Sequence, residues 1–146
     1  MLRIGKLTDY ATVIVTWLAS RDDWTSGSEV AAAVHLETPT ASKVLKQLAQ
    51  AGLVESCRGP HGGYRLAMAP EQISVAAVIE AIEGPIGMTE CSVQSGLCAN
   101  ETVCGLRGNW QRISRAIAAV LNDLSVADLT TPSVGSMQIP IHLADS

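Results

Sequence analysis

Between Lys6 and Ser20, the residues Leu7, Tyr10, Ala11, Ile14 and Leu18 recur at intervals that keep them on a single helical face. The spacing predicts an amphipathic first helix over that range. Beyond a turn at Asp22, Asp23 and Trp24, Ser28 is placed to cap a short second helix that runs through Val34. Thr38 and Pro39 then supply a cap and a first-turn proline for a third helix. Its apolar stripe is Ala41, Val44, Leu45 and Leu48, so Lys43 points away from the core, with Thr40, Ser42, Lys46 and Gln47 around it. Gly52 ends the helix.

The period then changes. Leu53 to Arg58 and Tyr64 to Ala67 read as two short strands, joined by Gly59-Pro60-His61-Gly62-Gly63, whose glycines permit a tight reversal. Three helices followed by a hairpin predict a winged helix-turn-helix, mainly α with a small β wing, in which the third helix enters the major groove. Near the start of that helix, Thr38, Thr40 and Ser42 are short polar candidates for base edges, and Gln47 lies further along the same DNA-facing side. Lys43, Lys46, Arg58 and Arg65 suit phosphates, and His61 sits in the turn of the wing beside them. Any one of these cations taken alone reads better as a solvated surface residue than as a specific contact. The arrangement carries the expectation of DNA binding, although winged helices also serve as protein-protein modules.

In the second half, Ser74 can cap a helix through Glu83 that presents Val75, Val78, Ile79 and Ile82 on one face and stops at Gly84-Pro85. A loop from Ile86 to Gly108 follows. From about Asn109 a long helix aligns Trp110, Ile113, Ile117, Val120 and Leu124 as a heptad-like seam. Such a seam wants a second helix, and pairing with another copy of the chain is the expected solution over packing within one chain. Thr130 to Ser146 has no clear period and reads as a poorly ordered tail. The organisation expected is therefore a winged-helix domain over 1–70, a loop and dimerisation helix over 71–129, and the tail over 130–146.

Composition refines this picture at two points. The 47% hydrophobic content of the 146 residues excludes a mainly disordered chain. The net charge of -4 looks wrong for a nucleic-acid binder until it is divided by region. Residues 1–70 hold seven Lys/Arg against six Asp/Glu, net +1, whereas residues 71–146 hold three against eight, net -5. Any DNA contact belongs in the first half. No stretch approaches the roughly 18 apolar residues of a membrane helix. Tyr10 to Ser20, preceded by Arg3 and Lys6, imitates a short export signal, but Asp9 and the helical spacing argue against one, so a cytoplasmic protein is expected.

Four cysteines stand at 57, 91, 98 and 104, and the last three fall within one short stretch. In a chain without a convincing export signal, such clustering suggests metal before disulfides. The separations, six residues and then five, are too open for the tight knuckles of common structural zinc sites. Thiolates are soft ligands for iron-sulfur clusters, zinc and copper(I) alike, so the three cysteines do not by themselves select the metal. Free thiols, or one disulfide with a thiol left over, remain alternatives. Cys57, in the first strand of the wing, reads as a small packed residue.

Several runs together resemble one family: KLTDYA at 6–11, TPTASKVLKQLAQAGLV at 38–54, RGPHGGYRLA at 58–67, ISVAAVIEAIEGP at 73–85, and the three-cysteine loop closing in CGLRGNWQRI. The chain resembles the IscR/NsrR/RirA family of winged-helix repressors over about residues 1–130, and its closing segment is most similar to the subgroup that regulates the SUF iron-sulfur assembly operon. The resemblance implies an iron-sulfur cluster, [2Fe-2S] or [4Fe-4S], ligated by Cys91, Cys98 and Cys104. It also implies a homodimer on a palindromic DNA operator. The IscR pattern has five residues between its first two cysteines and a histidine three positions after the last, where this chain has six residues and Arg107. The fourth ligand is thus open: NsrR-like members imply Asp9, contributed by the partner subunit, and another type implies a histidine at His35. Without the resemblance, Asp9 simply favours the positive end of its helix and His35 ends the second helix as a surface residue.

The mechanism implied is a switch in which the cluster fixes the loop between the wing-bearing domain and the dimer helix, and so sets the spacing of two recognition helices. The alternative is a zinc-stabilised or thiol-redox winged-helix module that binds protein. An enzyme is not expected, since there is no nucleophile-base constellation or phosphate loop, and His61 has no evident catalytic partner. Neither a small-molecule substrate nor a membrane partner is implied.

Overall fold

In a computed structural model that describes residues 3–131, Ala11, Ile14, Val15 and Leu18 of helix α1 (Lys6–Leu18) and Ala41, Val44, Leu45 and Leu48 of helix α3 (Thr38–Gln50) form the centre of the molecule. All eight are at most 1% exposed. Burial of each of the larger side chains contributes roughly 1.5–3 kcal/mol. Helix α2 (Gly27–Ala33) adds Val30 and Ala31 to the same cluster.

Its cap is Ser26, two residues before the expected Ser28. The Ser26 hydroxyl accepts from Glu29 N at 3.3 Å and the Glu29 carboxylate accepts from Ser26 N at 2.9 Å. That reciprocal pair requires a Ser and a Glu three residues apart, which Ser26 satisfies and Ser28 does not. Likewise Glu37, not Thr38, occupies the cap position of α3, and Pro39 lies inside its first turn.

Both helices end in the same way. At α3, Gly52 has φ 77°, with Gly52 N bonded to Ala49 O and Leu53 N to Leu48 O, each at 3.0 Å. At α2, His35 takes the glycine position with φ 57°, and Leu36 N bonds Ala31 O at 2.9 Å. A side chain there costs on the order of 1 kcal/mol.

The wing pairs β1 (Val54–Cys57) with β2 (Gly63–Leu66) in antiparallel register, Val54 opposite Leu66 and Cys57 opposite Gly63. Thr25 joins β2 from outside, exchanging backbone bonds of 3.0 and 2.7 Å with Tyr64. A Cβ on Gly63 would lie 2.3 Å from Thr25 O, so this close approach explains the glycine. Cys57 corrects the sequence reading. It is exposed, because β1 buries only Val54 and its remaining three positions face solvent.

A 3-10 turn at Pro70–Gln72 leads to α4 (Val75–Glu83), which Ser74 caps by accepting from Ala77 N at 3.0 Å. The expected loop from Ile86 contains a further short helix, α5 (Glu90–Val93), and the long helix α6 (Arg107–Asp123) begins at Arg107 rather than near Asn109. The chain then returns to the core. Val75 N bonds Leu124 O and Val126 N bonds Ile73 O, both at 2.8 Å, and α7 (Val126–Thr130) inserts Val126, 0% exposed, beside α1. Of the tail expected from 130, Thr130 closes α7, and residues 132–146 lie outside the described residues.

Candidate functional site

The recognition surface follows from the burial of α3. With Ala41, Val44, Leu45 and Leu48 inside, Lys43 and Lys46 are exposed on the opposite side, Thr38 is exposed, and Thr40, Ser42 and Gln47 are half-buried. Lys43, Lys46, Ser42, Gln47 and the wing residue Tyr64 line one open concavity of about 570 Å³ between α3 and the hairpin. The Gln47 Oε1 atom is buried without a hydrogen-bond partner among the described residues. Helix and wing thus share a surface.

On the wing, Arg58 and His61 are exposed. Arg65 is otherwise engaged: its Nε lies 3.0 Å from Glu55 Oε2, its cross-strand neighbour, and its guanidinium sits 4.3 Å from the Trp24 ring centroid. Arg65 therefore braces the hairpin against the segment before α2, with its charge compensated within the chain, and is less available to a phosphate than Arg58.

The three clustered cysteines are all unpaired thiols. Cys91 is buried on α5, with its Sγ 3.3 Å from Thr89 Oγ1, while Cys98 and Cys104 are half-buried in the turns that follow. Among the described residues no three His, Cys, Asp or Glu side chains are gathered closely enough to hold a metal ion. Asp9 is exposed in the first turn of α1, and His35 is exposed at the end of α2. Among the described residues neither forms a group of three ligand side chains with the cysteines.

Two side chains that periodicity could not reveal hold the loop in place. Arg107, standing where a histidine occurs in the IscR pattern, pairs with Glu101 at 2.7 Å and donates to Ser95 Oγ at 2.6 Å. This clip ties the turns around Cys98 to the start of α6. Glu83, at the end of α4, accepts from Gly5 N at 2.9 Å and from the buried Thr8 hydroxyl. It caps α1 from a distant part of the chain, and so joins the stem of the cysteine loop to the helix that bears Asp9.

Helix α6 buries only Ser114 fully. Of the expected seam, Ile113 is 43% exposed, and Trp110, Ile117, Val120 and Leu124 are half-buried. Leu106 and Val103, just before it, are 59% and 82% exposed. Among the described residues an apolar face of this kind is left open. Among the described residues no helix is long and apolar enough to cross a membrane.

Residues 4–132 match the family Rrf2, described as iron-dependent transcriptional regulator. The HTH-type transcriptional regulator NsrR of Halalkalibacterium halodurans is 31% identical over 133 residues, which cover 89% of this chain and 91% of that protein. Among solved structures, CymR (YrzC), the global cysteine regulator of B. subtilis, superposes with a TM-score of 0.69 at 30% identity, covering 89% of this chain and 97% of that one. T. potens IscR gives a TM-score of 0.63 at 27% identity, covering 88% and 85%.

Proposed function

Because this chain belongs to the Rrf2 family and is therefore a DNA-binding transcription regulator rather than an enzyme, we propose that it reads an iron-sulfur cluster held by Cys91, Cys98 and Cys104. The supporting observation is the placement of three unpaired thiols in one loop, between α4 on the winged-helix core and the open apolar face of α6. The donor chemistry fits, since soft thiolates suit iron-sulfur clusters. A loop built of turns is gathered by the ligand it binds, and the binding free energy then includes the ordering of that loop.

In the dimer, α6 pairs with its counterpart, and Asp9 of the partner subunit supplies the fourth ligand. When bound, the cluster supplies a centre labile to oxidants and to iron demand. Glu83 and the Arg107–Glu101 clip connect the loop to α1 and α6, so the state of the loop bears on the relation between the two recognition helices. The regulated genes are those of SUF cluster assembly, repressed in the cytoplasm from a palindromic operator.

A second reading, in which the thiols sense redox state directly, draws on the separation of the three cysteines within one chain, and zinc on the same soft thiolates is its metal-bound form. Anaerobic reconstitution separates the two. The parent is expected to be brown and to contain iron and acid-labile sulfide, and alanine at Cys91, Cys98 or Cys104 abolishes both. Asp9→Ala still assembles a cluster, with a changed spectrum and shorter lifetime, and His35→Ala matches the parent. A colourless parent containing zinc alone, or no metal, overturns the iron-sulfur reading. A deficient His35→Ala beside an unaffected Asp9→Ala moves the fourth ligand to the histidine.

A further inference from the structure

Around Cys91 runs a chain of hydroxyl groups that ends on α6. Ser114, 4% exposed, accepts from Met88 N at 3.0 Å and makes a 3.1 Å bond with Ser92 Oγ. Ser92 Oγ also bonds the backbone of Thr89 twice, donating to its carbonyl at 2.7 Å and accepting from its N–H at 3.0 Å. A serine hydroxyl has one proton and two lone pairs. Since Ser92 spends its proton on the Thr89 carbonyl, Ser114 must be the donor between the two serines. Every site on Ser92 is then used, and the backbone of Thr89 is fixed to α6.

The Thr89 hydroxyl keeps its proton outside that lock. It accepts from the Ser92 N–H in the capping box of α5 and lies 3.3 Å from Cys91 Sγ, where either atom could donate while the sulfur is a thiol. A thiolate has no proton to give, so when Cys91 acts as a ligand the direction is settled and Thr89 donates to the sulfur.

From this geometry we infer that Thr89 is the positioning residue of the cysteine loop: it donates a hydrogen bond to the Cys91 ligand sulfur and, through Ser92, anchors that ligand to Ser114 of α6. The inference rests on the iron-sulfur reading above. Cys91 is then the fixed ligand, and Cys98 and Cys104 are the ones drawn towards it. A hydrogen bond to a ligand sulfur also stabilises the more electron-rich reduced state, so its loss lowers the reduction potential. The anchor couples the ligand to the proposed dimer helix, not to the recognition helix.

The test uses the full chain, loaded anaerobically, with cluster loss to a chelator followed by absorbance and the potential followed by redox titration. Thr89→Val keeps the shape and removes the hydroxyl, and loss is expected to be about tenfold faster than in the parent, with a lower potential. Thr89→Ser restores the donor and should return both values to those of the parent. In the cluster-free protein, Ser114→Ala should speed hydrogen exchange at the Met88 amide, a readout that needs no iron. Parent-like cluster loss and potential in Thr89→Val would overturn the inference while leaving the iron-sulfur reading intact. Equal damage from Thr89→Ser and Thr89→Val would also overturn it, by assigning the effect to packing. A parent that takes up no iron or sulfide defeats the functional reading, and this inference with it.

Discussion

Replacing Arg58 with alanine removes a guanidinium that is exposed on the wing, while Arg65 on the opposite strand is already paired with Glu55 at 3.0 Å. The two arginines should therefore respond differently to salt. Each phosphate neutralised by a protein cation contributes about 0.9 to the slope of log affinity against log salt. The proposed two-fold dimer presents Arg58 twice, so Arg58→Ala should lower the slope by about 1.8. Between about 50 and 200 mM salt, the affinity of the variant should then fall by a factor about twelve smaller than the fall seen in the parent. Arg65→Ala should leave the slope close to that of the parent, because Glu55 already offsets the charge. It should instead loosen the hairpin by about 1 kcal/mol, from a solvent-exposed ion pair and a partly exposed contact with Trp24. Fluorescence anisotropy on a random-sequence duplex reads the slope without knowledge of the operator. An unchanged slope in Arg58→Ala, or an equal fall in Arg65→Ala, would refute the division of labour drawn from the wing.

Ile117→Asp should yield monomers by sedimentation, since a charge in the open face of α6 has no partner in an apolar seam; a variant that stays dimeric would remove this helix as the main interface. Hydrogen bonds from the Ser26 backbone, and next from its hydroxyl, hold the Glu29 carboxyl below the usual glutamate range. A depressed value stabilises the fold above the unfolded-state range and loses that contribution as pH falls through the folded value. Glu29→Gln should therefore melt lower than the parent at neutral pH, with the gap closing in acid, and a pH-independent gap would contradict the capping-box account.

The centre of the fold was legible because its residues obey a local period. The stripe of α3 is buried at all four expected positions, and Gly52 ends the helix with the backbone conformation a glycine allows. What was missed depends on partners or on length. Ser28 and Ser26 both resemble caps, and only the position of Glu29 three residues after Ser26 decides between them. Helix α7 is too short to show a period, although Ser125 and Asp128, which form its capping box, carried the available signal. Cys57 was expected inside, but the strand buries a single position on its core face. At the candidate site, the sequence identified the thiols and the cations but not their engagements. Glu83 on the start of α1, Ser114 beneath Ser92 and Arg65 on Trp24 join residues too far apart in the chain for spacing to reveal, and the Arg107–Glu101 pair closes across a loop that has no period.

Under the proposed function, occupancy of the Cys91–Cys98–Cys104 loop sets the affinity of the winged helices for DNA. One sample tests it: protein loaded anaerobically, with iron and sulfide quantified, is titrated with an operator duplex selected from a random pool, stripped with a chelator, and titrated again. Affinity for the operator is then expected to change by about 5- to 150-fold on stripping, the usual range for coupling between two sites, and Cys98→Ala to behave like stripped protein from the outset. Identical affinity before and after stripping of a fully loaded sample would contradict it.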